Sequence, residues 1–247
     1  MLKMPPQEAT QHFKRQCEYK RLEVLCGLLE EGDKVLDVGC GIGTYTSNPL
    51  AHLPISIMAV DSDARTVKYA SERNVHKNLE FACAYGEYFD TDERYDLIVC
   101  SHILEHTLMP ITLLSNMKRL LKADGLLYLA VPNGYGVFEV QNLLPRILSM
   151  TEYGKRLINR MLGKKAKDTL NTDSLHIHFF TICGIKDLLE LVGWSIVKQI
   201  NDEFLGGIVF DRIFSKLPSL AGWNVNIADR LPAQLTNGWV FVCEKNN

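Results

Sequence analysis

Three glycines at alternate positions, Gly39, Gly41 and Gly43, follow the apolar stretch "KVLDV", which itself carries a carboxylate, Asp37. A turn stripped of side chains lets a ligand reach the backbone where a β-carbon would collide. The helix expected beyond it offers N–H groups that have no partner of their own. A second carboxylate, Asp61, ends the stretch "ISIMAVD", 22 residues after Gly39. An acid at that separation, on a second strand, can hold the hydroxyls of a ribose. Together these residues describe a site for a nucleoside-bearing ligand at the carboxyl edge of a sheet. Asp37 as a turn cap alone is the weaker reading, because an unpaired carboxylate inside an apolar strand is costly. Asp61 also reads as the N-cap of a helix beginning at "SDART", a role compatible with ligand binding.

Further reactive side chains follow. His102, Glu105 and His106 stand in "SHILEH", and His176 and His178 in "HIH". A well-placed imidazole can take a proton from an attacking group, and His102 is the sharper candidate to face a substrate. For Glu105 and His106, bracing of the next loop is an equal reading. His176 and His178 share a face if their segment is extended. Asp173 is the one acid beside them in sequence, and no metal site is expected.

The elements that must position these residues alternate in type. Strands are expected at 34–39, 55–61, 79–84, 95–101 and 125–132, as short apolar runs without alternation, which suit a parallel sheet covered on both faces. Between them, "TYTSNPLAHL", "SDARTVKYASERN" and "PITLLSNMKRLLKAD" are long enough for crossover helices. A helical spacing over residues 10–30 precedes the first strand. After Pro132 the rhythm breaks, then resumes with a helix from Thr181, a stop at Gly193, a sixth strand, and a seventh, "GWVFVCEK", at 238–245. Such alternation predicts an α/β, doubly wound sheet. The divisions expected are an N-terminal helical segment (1–30), a Rossmann-like core (31–133), a helical cap insertion (134–175), and a C-terminal part of the core (176–247) with a second insertion at about 203–236.

A dinucleotide-type turn would be G-x-G-x-x-G, yet Thr44 stands at the third glycine's place and the run is G-x-G-x-G. With Asp37 included, "VLDVGCGIG" resembles the first signature of class I S-adenosylmethionine-dependent methyltransferases. Asp61, "YDLIVCSHILEH" and "LKADGLLYLAVPN" are similar to that family's later landmarks, and "HIHFFTICGIKDLLELVGWSIV" to the ending of its small-molecule branch, which includes ubiquinone-type O-methyltransferases. The resemblance spans roughly residues 20–133 and 176–201. It implies a seven-stranded, mostly parallel sheet whose last strand is antiparallel, and S-adenosyl-L-methionine as cofactor. It would put Asp37, Gly39, Cys40 and Gly41 around the methionine part, with Asp37 near its ammonium or a bound water. Asp61 would bind the ribose hydroxyls and Ser62 would line the adenosine. Tyr85, Gly86 and Glu87 match the adenine-contacting segment. Tyr85 stands where the family often has Asp, so its ring would replace that contact, with ordinary packing the equal alternative. Ser101 would offer its carbonyl to the methionine amine, and His102 and His106 would be the catalytic candidates.

Composition bounds the rest. With 247 residues, 47% hydrophobic and 23% charged, the chain is an ordinary globular one. Its formal charge of -2 gives no field for nucleic acid. Seven cysteines without a CxxC pair favour a reducing compartment. With no signal-peptide pattern and no apolar run long enough to span a bilayer, a cytoplasmic location is expected. The first insertion carries Leu143, Leu144, Ile147 and Leu148 at helical spacing and a basic polar side. One reading is a helical cap with a solvated rim. The sharper one is an interfacial helix, 138–167, in peripheral contact with a membrane, or an anion site for an acidic acceptor. The expected acceptor is a small or lipid-linked molecule methylated at oxygen, by a monomer or homodimer. The alternative is a non-catalytic cofactor-binding or partner subunit with the same fold.

Overall fold

The computed structural model describes residues 1–137 and 176–246. Strand β1 (Lys34–Val38) pairs in parallel with β2 (Ser56–Asp61) on one side and β4 (Tyr95–Ser101) on the other. β3 (Leu79–Cys83) lies beyond β2, and β5 (Leu121–Pro132) beyond β4, both also parallel. β7 (Gly238–Lys245) runs antiparallel between β5 and β6 (Trp194–Asn201). The order is β3-β2-β1-β4-β5-β7-β6, the expected seven-stranded sheet with its last strand reversed.

Alternation along the strands sorts side chains into two cores. Leu36, Val38, Ile98, Cys100, Leu127 and Leu129 point to one face, against Leu113, Leu114 and Met117 of α4 (Pro110–Leu120). Ile185 and Leu189 of α5 (Ile182–Val192) complete that layer. Val35, Leu97, Val99, Tyr128 and Ala130 point to the other, against Leu22, Leu25 and Cys26 of α1 (Gln16–Leu28). Asp37 falls on this second face, next in alternation to Val35. Local signals set the helix ends. The Asp63 carboxylate accepts the Arg65 N–H at 2.9 Å and starts α3 (Ala64–Arg73). The Thr181 hydroxyl accepts from Gly184 N at 3.0 Å, and Gly193, left-handed at φ 81°, ends α5.

Two expected elements differ. The crossover over "TYTSNPLAHL" contains only the single helical turn α2 (Ser47–Leu50), because the Ser47 side chain turns back to Asp37 and the chain leaves in turns before Pro54. The helix over "PITLLSNMKRLLKAD" stops at Leu120, and Leu121 already pairs with Tyr95 as the start of β5. Most of the expected cap (134–175), including the basic stretch 138–167, lies outside the described residues. Between β6 and β7 stand α6 (Ile208–Phe214) and α7 (Pro218–Ala228). Among the described residues no helix is long and apolar enough to cross a membrane.

Candidate active site

In a doubly wound sheet the crevice forms where neighbouring strands send their connections to opposite faces, here between β1 and β4. A cavity of about 470 Å³ opens there, on the α1 face. Asp37, Ser101 and Tyr128 reach it from β1, β4 and β5, Gly39 and Cys40 from the turn, and His102, Glu105 and His106 from the loop after β4.

The glycines of the turn have different duties. All three adopt left-handed φ, 72° at Gly39, 54° at Gly41 and 77° at Gly43. A β-carbon on Gly39 would lie 2.8 Å from Ile103 Cδ1, so this residue is small for packing under the turn. At Gly41 a β-carbon would meet nothing within 4 Å, so here the bare backbone faces open space. Its N–H donates to Asp61 Oδ2 at 2.9 Å, while Asp61 Oδ1 accepts from Asp63 N at 2.9 Å. Asp61 therefore ties the turn to the end of β2, and each oxygen keeps a lone pair for a further donor.

Asp37 is 2% exposed and accepts the Ser47 hydroxyl. Burial pushes its carboxyl up to about 7, against the pull of that hydrogen bond and with a further push from Asp61. The neutral form is thus the native one in weak acid. Since the native state binds this proton more tightly than the unfolded chain, stability from this group is full below pH 4 and falls as pH rises through about 7. The loss is at most about 4 kcal/mol at 1.36 kcal/mol per unit. Melting curves of wild type and Asp37→Asn from pH 5 to 9 should show the wild type losing ground to the variant as pH rises. A constant difference would remove this assignment.

His102 is the one non-glycine residue of the described chain with positive φ, 56°. Its N–H is fixed by Ala130 O at 3.0 Å, which holds the loop to β5. Its Nδ1 lies 3.3 Å from Glu105 Oε1, and its Nε2 is shielded with no hydrogen-bond partner among the described residues. Glu105 is wholly buried; burial alone would raise its carboxyl, but His102 and then His106 hold it below the usual range. At 3.3 Å the carboxylate faces one ring nitrogen of His102 without a hydrogen bond, since among the described residues neither Glu105 oxygen has a hydrogen-bond partner. His106 packs edge-on to His176, with ring centroids 4.9 Å apart. Glu105, His106 and His176 each offer a ligand atom, all within 4.8 Å of one another. This grouping was not legible from the H-x-H spacing, because His178 instead donates through Nε2 to Thr107 O at 3.0 Å.

The remaining expected residues lie along the same edge, away from the cavity wall. Ser62 is exposed, and its carbonyl accepts the Cys83 thiol at 3.7 Å. Tyr85 is 64% exposed at the end of β3, Gly86 is buried against Val38 and Leu113, and Glu87 accepts the Thr107 hydroxyl. Burial raises the Cys40 thiol far above its ordinary value, with Asp37 and Asp61 adding to the effect, which makes it unreactive. Missed by the sequence reading were Arg15 and Arg21 of the N-terminal helical region. Arg21 forms a two-pronged pair with Asp202, and Arg15 pairs with Glu203, joining that region to the end of β6 across the cavity. Burial would raise the Asp202 carboxyl, and the Arg21 guanidinium more than reverses this.

A glycine turn facing open space, an acid on the neighbouring strand and this strand order define the fold of S-adenosylmethionine-dependent methyltransferases. Residues 10–199 match a family described as a methyltransferase domain, and the chain belongs to that family. It is 35% identical over 111 residues to the ubiquinone biosynthesis O-methyltransferase of Glaesserella parasuis, a match covering 41% of this chain and 46% of that one. The match thus spans about half the length of that relative. Two solved structures share the fold. The cyclase SpnF has a TM-score of 0.61 at 16% identity, covering 93% of this chain and 81% of its own. PKMT2 from Rickettsia typhi, in complex with S-adenosylhomocysteine, has a TM-score of 0.59 at 16% identity, covering 95% and 53%. The chain thus carries an S-adenosylmethionine-dependent methyltransferase domain.

Proposed function

We propose that the protein transfers the methyl group of S-adenosylmethionine to a hydroxyl of a small-molecule or lipid-linked acceptor. The observation that carries this reading is one cavity bordered by both the glycine turn with Asp37 and a histidine, His102, backed by a buried carboxylate. When bound, the cofactor supplies a sulfonium methyl carbon that is already electrophilic. His102 would take the proton of the attacking hydroxyl, and the cofactor's sulfur would serve as the leaving group for the methyl. Glu105 orients the ring and stabilises the imidazolium that results. The walls hold the reactants in line and exclude water. The residues fit the cofactor: Gly41 leaves the backbone bare, Asp61 has lone pairs for ribose hydroxyls, and the exposed Tyr85 ring, with Ser62, Gly86 and Glu87, would contact the adenosine. Asp37, Gly39, Cys40 and the Ser101 carbonyl would surround the methionine part.

The cyclase SpnF has the same fold, so the fold alone does not choose the reaction. A non-catalytic subunit would keep the turn and would need Glu105 only to brace the loop after β4. The test is transfer of labelled methyl from the cofactor to a panel of hydroxyl compounds; S-adenosylhomocysteine binding without transfer to any would favour the non-catalytic reading. If the cofactor's ammonium pairs with Asp37, it needs the ionised carboxylate. Affinity for S-adenosylhomocysteine should therefore fall as pH drops below about 7, and Asp37→Asn should flatten that profile.

Glu105, His106 and His176 support a second reading, in which a divalent cation lowers the acceptor's pKa. Elemental analysis of protein purified without chelator should then find a stoichiometric ion that is lost in His176→Ala. Metal-free protein with undiminished turnover leaves His102 to act alone.

A further inference from the structure

Beyond the glycine turn and His102, the cavity wall has a chemistry of its own. It is built by Arg15, Arg21, Tyr128, Asp202, Glu203 and Asn237, brought together from α1 and the residue preceding it, β5, and the two ends of the α6–α7 insertion. Leu25 and Pro132 are the purely aliphatic side chains among the described lining residues. Tyr128 is fully buried, and its hydroxyl has no hydrogen-bond partner among the described residues. Burial holds that phenol neutral, well above its ordinary range, so it remains a donor. Arg15 Nε is likewise shielded with no hydrogen bond among the described residues, 3.6 Å from Asp211. Buried polar groups left without partners are costly unless something satisfies them. A prenyl tail against this wall would satisfy none.

Charge narrows the choice further. Among the described lining residues, the carboxyl groups of Glu18, Glu105, Asp202 and Glu203, joined by Asp37 above about pH 7, stand against two guanidinium groups, with the imidazoles of His102, His106 and His176 beside them. A carboxylate or phosphate on the acceptor would meet like charge. Asp202 and Glu203 can each accept from more than one donor, the pattern suited to neighbouring hydroxyls. Tyr45, 52% exposed on the same wall, offers a ring face to the C–H side of a saturated ring.

We propose that the acceptor is a polyhydroxylated, sugar-like compound, neutral or amino-substituted, and that Tyr128 is a specificity-determining residue for it. This rests on the methyltransferase reading above. The full chain is incubated with methyl-tritiated S-adenosylmethionine and three sets of acceptors: neutral and amino methyl glycosides, hexuronates, and a short-chain prenylated dihydroxybenzene. The expected result is transfer to a neutral or amino glycoside, with little or none to the others. Tyr128→Phe, which deletes only the hydroxyl, should raise KM for that glycoside about tenfold with kcat nearly unchanged, and leave S-adenosylhomocysteine affinity unmoved. Transfer only to the prenylated compound or to hexuronates, transfer to nothing, or a KM indifferent to Tyr128→Phe overturns the proposal. S-adenosylhomocysteine binding with no glycoside methylated sinks the acceptor alone; no binding by the wild type sinks the methyltransferase reading with it.

Discussion

Alanine at position 102 is expected to lower turnover by about 10²- to 10⁴-fold, the span of a positioned acid–base group, while S-adenosylhomocysteine affinity changes little. The expectation rests on division of labour within the loop after β4. Glu105 is buried with an oxygen 3.3 Å from Nδ1, so the carboxylate stands beside one ring nitrogen, and the other has no hydrogen-bond partner among the described residues. The backbone adds a second sign. His102 sits at φ 56°, a conformation costly for any residue with a β-carbon. Such strain persists only when the surroundings fix it, here through the bond to Ala130 O. His102→Gly supplies the control. It removes the same ring but relieves the backbone, so it should be as inactive as the alanine variant and more stable. If either variant turned over at the wild-type rate, His102 would be dismissed as the base, and the cluster of Glu105, His106 and His176 would carry the proton chemistry.

Legibility in the sequence followed the range of the forces involved. β4 and β7 begin and end where their apolar runs do, because a strand buried on both faces needs an unbroken run and a polar stop. The junction of α4 with β5 was misplaced, since "RLLKADGLL" is apolar on both sides and the stop is set by Leu121 pairing with Tyr95. The turn was legible because left-handed φ at Gly39, Gly41 and Gly43 favours one residue type. What local pattern could not convey was pairing across the chain. Arg21 with Asp202 and Arg15 with Glu203 join residues far apart in sequence, and neither arginine carries a spacing signal. His176 likewise meets Glu105 and His106 only because the Ile177 and His178 amides both bind the Glu105 carbonyl, at 2.8 and 3.1 Å.

Asp61→Ala is the second large expected effect. Hydrogen bonds to an ionised partner contribute about 1.5–3 kcal/mol, so loss of the ribose contact should weaken S-adenosylhomocysteine binding roughly 10- to 150-fold. The carboxylate also accepts from Gly41 N and Asp63 N, so the substitution loosens the turn as well as removing the contact. Asp61→Asn keeps one accepting oxygen and should fall between alanine and wild type. The decisive measurement is a calorimetric titration of the wild type and Asp61→Ala with S-adenosylhomocysteine. Binding to the wild type, cut by that factor in the variant, is the predicted result. No heat of binding with the wild type, or equal affinity in the two proteins, would contradict a cofactor site built on the bare turn and the acid of the neighbouring strand.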